Sequence, residues 1–567
     1  MGSTSRQTRR CAAFRLRAVL RDHFGFFLAA LTALGLLGAA AAQKIETTTW
    51  GFDGASVVVG AFNPLTVEVR NDTGAPIDDV LALVEVNGLQ AVGAPIVERC
   101  YLAPGTARTV QFHPFVTTFD ASWSLRWKNA VASINVPRPR VGWRATVILR
   151  DGDGPPDTRH RLPAFSAAWF PATAGAAEAL GEAILDSDPE WDEPRALAFL
   201  AWLRSGGRLH VFERDGKKPQ FAGPLSILDD VRQRFTIGAG TVVRYASGID
   251  DSLPQRLRRS VVFPDDATPP SSARAPNILS DLQSSLLPNH PWGLIFTAAV
   301  AFLLCVGPVH WILARRRVDW RLSIGYLLGV VTLFTLLFAW LGARGYDEVS
   351  RLRTLAYARV CGDGEVAATQ YTNAFVTGGG ERRFHPRAEA SLTGTAQTLE
   401  AVPGVVDNGP GGSLVVDMPM FSARGLVHRG HYRLASVPPV RLESGRERPE
   451  LVVEGGGALG GFFLDGSRLY RLDGRGERLQ VSAIIDTDPR LGQYHLPDSR
   501  FDPERVLPLA LDCVCERLQL DTPAQTFPDR GARRAFVLMR SPPELHIETQ
   551  PSLGDEESYV LYDFDLR

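Results

Sequence analysis

Residues 293–314 read GLIFTAAVAFLLCVGPVHWILA and residues 322–343 read LSIGYLLGVVTLFTLLFAWLGA, two apolar stretches of 22 residues without a formal charge. As a helix, such a stretch extends about 33 Å, enough to cross the hydrocarbon core of a bilayer. Adjacent uncharged runs of this length are rare in soluble cores. The two stretches therefore predict a transmembrane helical hairpin, and the rest of the architecture is built outward from it.

The connection between the two stretches, residues 315–321, reads RRRVDWR and carries four arginines. The approach to the first stretch, residues 281–292, contains no lysine or arginine. Because short loops rich in positive charge stay in the cytoplasm, residues 315–321 are predicted to be a cytoplasmic loop. Both flanking regions then lie outside the cytoplasm. His310 is little more than one turn from Arg315, and we interpret it as interfacial rather than as an intramembrane site.

The first 42 residues combine a basic start, an apolar run over residues 24–42 and a small-residue end at Ala40-Ala41-Ala42. This pattern is typical of a secretory signal, although the run is also long enough to remain as an N-terminal anchor. Either form exports the residues C-terminal to it. The sequence therefore predicts a protein of the cytoplasmic (inner) membrane, with its N- and C-terminal domains on the periplasmic or extracytoplasmic side.

Length and composition exclude several classes of protein. A chain of 567 residues is too long for one domain, and a net charge of −1 gives no global attraction to nucleic acid. Only four of the 61 basic residues are lysines, a bias typical of a GC-rich genome, and we assign no phosphate-binding role to the arginines. The six cysteines are too scattered for a disulfide framework. A single Cys100–Cys361 bridge is compatible with the pattern but not required by it.

Two patterns of periodicity precede the hairpin. Residues 46–139 contain short alternating stretches such as LTVEVR at 65–70, punctuated by turns, and predict an antiparallel β-sandwich. Residues 140–252 change period: a strand at 143–149, a stretch of helical composition at 174–184, an amphipathic helix at 193–204, a Gly206-Gly207 stop and a strand at 208–212. This order predicts a βαβ unit with a parallel sheet. Residues 253–292, rich in proline, are predicted to be a linker.

Two motifs resemble a known family. Residues 199–211, FLAWLRSGGRLHV, resemble a segment of class I glutamine-amidotransferase-like domains. Residues 306–317, VGPVHWILARRR, followed by Trp320, resemble the helical hairpin of uncharacterised bacterial membrane proteins. That family places an Ig-like β-domain and a flavodoxin-like, amidotransferase-like α/β domain before the hairpin and a β-rich domain after it. The resemblance implies a multidomain membrane protein with this order of domains.

The resemblance does not extend to catalysis. Active class I amidotransferases need a nucleophilic cysteine activated by a histidine, and residues 140–252 contain no cysteine. His160 and His210 are present without a thiol. We therefore interpret 140–252 as a degenerate amidotransferase-like domain kept for binding. Because ligands of open α/β sheets bind beyond the carboxyl ends of the strands, a ligand is expected at the loops after Leu149 and Phe212.

Residues 345–567 predict a β-rich exported domain, in which three glycine-rich stretches are interpreted as turns.

The remaining candidates for a metal-binding or catalytic site are weak. Cys513 and Cys515 are expected on one face of a strand, and His428 and His431 in a turn next to Gly425 and Gly430, but neither pair has zinc spacing. Two fragments that resemble parts of calcium loops lack the rest of the pattern, at Asp486-Thr487-Asp488 and Asp563-Phe564-Asp565. We assign no catalytic, cofactor-binding or metal-binding residue and expect no cofactor.

The modular layout and the missing nucleophile favour a membrane-anchored envelope scaffold or binding protein without catalytic activity. Its expected partners are membrane lipid and other envelope proteins, not nucleic acid, and its oligomeric state stays open. The alternative is an envelope hydrolase or amidotransferase-like enzyme that uses residues 140–252 with a non-cysteine nucleophile. A Ser, Asp or Thr hydrogen-bonded to His160 or His210 in a cleft would favour the enzyme. A third hypothesis is a subunit that is stable only within an envelope complex.

Overall fold

The computed structural model describes residues 43–566 except 89, 129–132, 151–161, 215, 250–268, 287–291, 317–318, 347–348, 363, 389–390, 398, 410, 444–448, 467, 486–500 and 521–532. The predicted signal or anchor at 1–42, His160 and Asp486-Thr487-Asp488 lie outside the described residues. Within them the fold is mostly β, with six sheets and two apolar helical stretches.

The N-terminal region is built mainly from antiparallel strands, as the alternating pattern predicts, although β2 and β11 pair in parallel. A three-stranded sheet of order β1-β4-β7 faces a larger sheet that contains β10-β9-β5-β6. Leu65 and Val67 from the first sheet and Leu81 and Leu83 from the second are fully buried in the same core. The strands are β1 (Gln43–Trp50), β2 (Ser56–Val57), β3 (Ala61–Phe62), β4 (Leu65–Asn71), β5 (Ile77–Asn87), β6 (Gln90–Leu102), β7 (Ala107–Phe112), β8 (Phe115–Val116), β9 (Ser122–Trp127), β10 (Ser133–Val136) and β11 (Arg140–Val141).

A mostly parallel sheet comes next, of order β13-β12-β14-β15-β17-β16, in which only the β16–β17 pair is antiparallel. Its elements are β12 (Ala145–Arg150), β13 (Ala164–Ser166), β14 (Leu180–Leu185), α1 (Glu193–Arg204), β15 (Arg208–Phe212), β16 (Arg234–Ile237) and β17 (Gly240–Tyr245). The predicted helix and the strand after it are present as α1 and β15, but the strand that precedes α1 and pairs with β15 is β14, whereas the predicted strand at 143–149 is β12, on the other side of β14. The helical composition of 174–184 is misleading: pairing with β12 and β15 makes 180–185 a strand, because tertiary pairing overrides local propensity.

The linker prediction for 253–292 is wrong in its second half. Residues 275–286 form helix α2 (Ala275–Leu286), whose buried face includes Ile278, Leu279 and Leu282. Apolar residues three and four apart make such a helix amphipathic. Pro276 does not interrupt it because it lies in the first turn, where a backbone N–H has no helical partner.

The helical hairpin consists of α3 (Trp292–Leu304), a π-helical turn at Cys305–Val309, α4 (His310–Arg315) and α5 (Trp320–Tyr346). Gly293–Arg315 and Trp320–Trp340 are each long and apolar enough to cross a membrane. Leu303 and Leu336 are both 65% exposed, as expected of side chains that face lipid. Pro308 lacks a backbone N–H, which explains the π-turn, and the Tyr326 hydroxyl donates to the Cys305 carbonyl at 3.2 Å.

The C-terminal region is β-rich, as predicted, and supplies every strand of an eleven-stranded sheet of order β21-β24-β19-β18-β32-β30-β27-β28-β29-β26-β25. Its elements are β18 (Arg351–Gly362), β19 (Glu365–Val376), β20 (Gly380–Pro386), β21 (Leu392–Gly394), β22 (Gly404–Asp407), β23 (Ser413–Met418), β24 (Ser422–Arg433), β25 (Val440–Glu443), β26 (Glu450–Val453), β27 (Gly460–Asp465), β28 (Arg468–Asp473), β29 (Arg478–Ile484), α6 (Pro503–Leu518), β30 (Arg533–Arg540), β31 (Ile547–Gln550) and β32 (Asp555–Asp565).

The regions before and after the hairpin form one body rather than separate units. β6 pairs in parallel with β22, with Ile96 opposite Val406, so that one eight-stranded sheet has the order β10-β9-β5-β6-β22-β23-β20-β31. A single hydrophobic core includes residues from both regions, from α2 and from α6. Regions that share a sheet and a core lie on the same side of a membrane. Any membrane crossing between them must therefore be an even number of spans, as a hairpin provides.

Candidate functional site

The parallel sheet has two chemically different faces. α1 covers one face, where Phe199 and Leu203 pack with Val147, Leu209 and Val211. Side chains alternate along each strand, so the neighbouring positions point to the opposite face. There the small cluster of Ile148, Ile184 and Phe212 adjoins a polar row formed by Glu182, His210 and Tyr245.

Glu182 and His210 are buried in the polar row, Tyr245 is partly buried, and the three side chains lie in close polar contact. His210 Nδ1 and the Tyr245 hydroxyl share a hydrogen bond of 3.1 Å, and His210 Nε2 lies 3.6 Å from Glu182 Oε2. Arg208 Nη1 donates to the other carboxylate oxygen of Glu182 at 3.4 Å. His210 is 3% exposed and Glu182 is 4% exposed, so this row orients the Tyr245 ring rather than meeting solvent itself.

A cavity of about 290 Å³ opens at the carboxyl ends of β15 and β17, next to this row. It lies at the loop after Phe212, one of the two positions where the sequence predicts a ligand. The loop after Leu149 falls outside the described residues. The Phe212 and Tyr245 rings stack at 4.3 Å with 4° between their planes and form an aromatic wall. We call this cavity the carboxyl-edge pocket; its lining includes Phe212, Glu213, Lys218, Val231, Arg244 and Tyr245.

The carboxyl-edge pocket is lined by charged, aromatic and aliphatic side chains. Lys218 is exposed, and Val231 is 95% exposed beside it. Arg244 is held by the backbone oxygen of Asp230 and lies 3.9 Å from Asp229. The described residues that line the pocket include no Ser, Thr or Cys. His210 is bonded to a phenol rather than to the Ser, Asp or Thr that would favour an enzyme.

A larger cavity, of about 480 Å³, lies between the amino edge of the parallel sheet and the far end of β18. Its arginines are largely paired: Arg204 is 3.1 Å from Glu365, and Arg232 is bonded to Asp230. Cys361 also lines it, but burial raises the pKa of this thiol to about 11 and keeps it protonated. This cavity is therefore a weaker candidate for a ligand-binding or catalytic site than its volume suggests.

The expected placement of Cys513 and Cys515 on a strand is wrong. Both lie on α6, where residues two apart point about 200° away from each other, so the two sulfurs cannot bind one ion. Cys100, Cys361, Cys513 and Cys515 are buried and form no disulfide in the structure, so the Cys100–Cys361 bridge is not formed. Among the described residues no group of three or more His, Cys, Asp or Glu side chains could hold a metal ion.

The expected turn at His428 and His431 is also wrong, because both lie within the long strand β24. Positions three apart on a strand face opposite sides of the sheet, which excludes a shared metal. His428 Nδ1 bonds to Thr393 Oγ1 at 2.7 Å, and burial lowers the pKa of His428 to about 3. His310 packs its ring against Tyr326 near the basic loop, and Asp563 is held in an ion pair with Arg534.

Comparisons with known proteins give no family. No family model and no curated protein matches the chain. Among solved structures, a β-glucosidase from Erythrobacter marinus is similar at 16% identity and a TM-score of 0.14, over 18% of this chain and 15% of that chain. An alkylpurine DNA glycosylase from Pseudomonas fluorescens is similar at 14% identity and a TM-score of 0.14, over 19% of this chain and 32% of that one. Neither likeness bears on fold or function.

Proposed function

We propose that the chain is a membrane-anchored scaffold or binding protein of the cell envelope, without catalytic activity, whose exported modules contact partner proteins or a ligand. In this proposal residues 1–42 export the chain, the hairpin anchors it in the inner membrane, and residues 46–139 act as an Ig-like module. Residues 140–252 act as a degenerate amidotransferase-like module on the periplasmic or extracytoplasmic side. Membrane lipid and envelope proteins are its partners.

The observation that carries the proposal is the carboxyl-edge pocket. It combines a flat aromatic wall, Phe212 and Tyr245, with the exposed cation of Lys218. A site of this kind suits a partner segment that presents an apolar or aromatic group beside a negative charge. The pocket lies at the edge of a parallel sheet where ligands of such folds bind. The rest of the body, built from long strands with buried thiols and neutral histidines, supplies a rigid support.

Site-specific photo-crosslinking in intact cells tests this proposal. A photoreactive phenylalanine analogue at Val231, in the pocket, is expected to give a discrete adduct. The same analogue at Leu197, which is 50% exposed on α1 outside the pocket, is the matched control and is expected to give none. Lys218→Glu should abolish the Val231 adduct. Equal adducts at the two positions, or an adduct that survives Lys218→Glu, would contradict a binding role for this pocket.

The enzyme alternative rests on the row of Glu182, His210 and Tyr245 beside the pocket. If the row acted as a base, purified full-length protein would hydrolyse acyl or amide substrates, and His210→Gln would remove that activity. We expect no activity that depends on His210. A loss of hydrolysis in His210→Gln with unchanged folding would favour the enzyme instead.

A further inference from the structure

The turn between β23 and β24 presents two large apolar side chains to solvent. β23 ends at Met418 and β24 begins at Ser422, and between them Met420 is 67% exposed and Phe421 is 43% exposed. We call residues 419–421 the apolar turn. Single exposed apolar residues are normal, whereas adjoining ones mark surfaces that contact a protein or a membrane. The apolar turn is therefore a candidate contact surface.

The backbone of the apolar turn is held in a defined shape. The Ser422 hydroxyl donates to the Pro419 carbonyl at 2.6 Å, which closes the turn. Phe421 has a φ of 54°, in the left-handed region that glycine or asparagine adopts at lower cost than a bulky residue. Behind the turn, an added Cβ at Gly379 would lie 3.1 Å from the Met420 backbone nitrogen, so the connection between β19 and β20 packs closely against it. The fold therefore holds the two apolar side chains at the surface in spite of backbone strain.

Strand pairing places the apolar turn at one particular end of the eleven-stranded sheet. Phe375 on β19 pairs with Arg351, the first residue of β18. The next residue of β19, Val376, pairs with Ser422, the first residue of β24. The apolar turn, which precedes Ser422, therefore projects from the end of the sheet at which β18 begins. At this end the chain arrives from the hairpin.

Both connections to the hairpin leave the body at this same end. α5 ends at Tyr346 and β18 begins five residues later, a separation of at most about 18 Å for an extended chain. α2 ends at Leu286, which packs with Phe375 and Ala423 beside the start of β24. α3 begins six residues after Leu286, at most about 22 Å away. Two short connections therefore keep this end of the body close to the outer ends of the hairpin.

Further apolar side chains are exposed at this end. Val349 lies in the connection between α5 and β18 and is about half exposed. Leu399 is also exposed, and its neighbour Glu400 accepts a hydrogen bond from Arg424 Nη1 at 2.8 Å, three residues from Phe421. Val349 and Leu399 therefore extend the apolar surface around the turn.

We propose that the apolar turn inserts into the bilayer that the hairpin crosses and forms a second, shallow membrane contact of the body. This inference rests on the hairpin being a membrane anchor, which is part of the proposed function. Apolar side chains that enter the boundary between headgroups and acyl chains to a depth of about 5–10 Å leave water without spanning the membrane. Lipid is favoured over a partner protein as the occupant because both connections hold the turn toward the bilayer. The contact fixes how the body is oriented on the membrane.

Nitroxide spin labels on introduced cysteines, in the full-length protein in phosphatidylcholine nanodiscs, test this inference. A label at Met420→Cys should collide with a water-soluble nickel complex about fivefold less often than a label at Ile484→Cys, because lipid covers the apolar turn. Ile484 is the matched control: it is 46% exposed, and strand pairing places it about 30 Å farther along the sheet from the end at which β18 begins. The natural chain, treated with the same reagent, is the blank.

A label at Leu333→Cys distinguishes failure of this inference from failure of the proposed anchor. Leu333 is exposed within the apolar stretch Trp320–Trp340 of α5, and a label there should be shielded from nickel but accessible to dissolved oxygen. If position 333 is shielded while position 420 collides with nickel as often as position 484, the inference is overturned and the apolar turn belongs to a partner protein instead. If position 333 is itself open to nickel, the hairpin is not in the bilayer, and the anchor and the inference both fail.

Discussion

Among the contacts that join the regions before and after the hairpin, two junctions have opposite chemistry. At the first, α2 packs its apolar face on the eleven-stranded sheet, where Leu279 lies against Gly425 and its carbonyl accepts from Asn373 Nδ2 at 3.1 Å. At the second, Glu178 meets Arg429 and Arg517. The apolar junction is stabilised because apolar side-chain surface is removed from water, and this gain tolerates small shifts of α2 on the sheet. The ionic junction gains little net stability but allows few arrangements, so we expect it to fix how the two sheets are oriented.

Glu178→Gln should produce the largest change and tests the ionic junction. It leaves Arg429 and Arg517 buried without a counter-charge, which costs about 3–5 kcal/mol of unfolding free energy. The matched control is Glu365→Gln, whose ion pair with Arg204 is about a third exposed and should be worth less than about 1 kcal/mol. Denaturant unfolding of both variants measures the difference. Equal losses would mean that burial does not distinguish the two ion pairs.

Leu279→Ala should have the next largest effect and tests the apolar junction. Truncation of a fully packed leucine costs about 2–5 kcal/mol, depending on how far the cavity collapses. Leu197→Ala, at a half-exposed leucine on α1, should change stability by less than about 0.5 kcal/mol. The same denaturation assay applies. A loss at Leu279 no greater than that at Leu197 would show that α2 is not part of the common core.

The sequence predicts local features well and junctions poorly. The two apolar helical stretches, helix α1 and strand β15 depend on contiguous runs and periods, which a single stretch of sequence displays. The strand β24 is hard to predict because Gly425 and Gly430 suggest a turn, whereas an added Cβ at Gly430 would lie 2.8 Å from Ala388. These two glycines allow close packing on a strand.

The sequence does mark the start of helix α6, although the spacing of Cys513 and Cys515 was interpreted as a strand. Asp502 caps its first turn by accepting from the Arg505 N–H, and Pro503 occupies the first helical position. The ionic junction left no such signal. Glu178, Arg429 and Arg517 come from distant parts of the chain and meet only in the folded protein, so their spacing in the sequence does not indicate a contact.

A pH effect should be the smallest change and tests the contact between β6 and β22. Burial, and then the charge of Asp407 on β22, raise the pKa of Glu98 to about 7, while Arg108 opposes the shift. The folded state therefore holds a proton that the unfolded state releases near pH 4.5, and the contribution of Glu98 to stability falls between pH 4.5 and 7. Glu98→Gln should flatten the pH dependence of the denaturation midpoint in this window.

Asp407→Asn refines the same test. It should leave a smaller pH effect than in the natural chain, because the second cause of the raised pKa is removed while burial remains. A pH dependence that neither substitution changes would contradict the contact between the two regions.

Labelling of introduced cysteines in intact cells tests the central claim, that both flanks of the hairpin form one body outside the cytoplasm. Val231→Cys lies before the hairpin, Ile484→Cys lies after it and Asp319→Cys lies in its connection; the first two natural residues are 95% and 46% exposed. With an impermeant maleimide, and the natural chain as the blank, the first two should label in intact cells and the third only after permeabilisation. Labelling of position 319 from outside, or opposite sidedness of positions 231 and 484, would contradict the account.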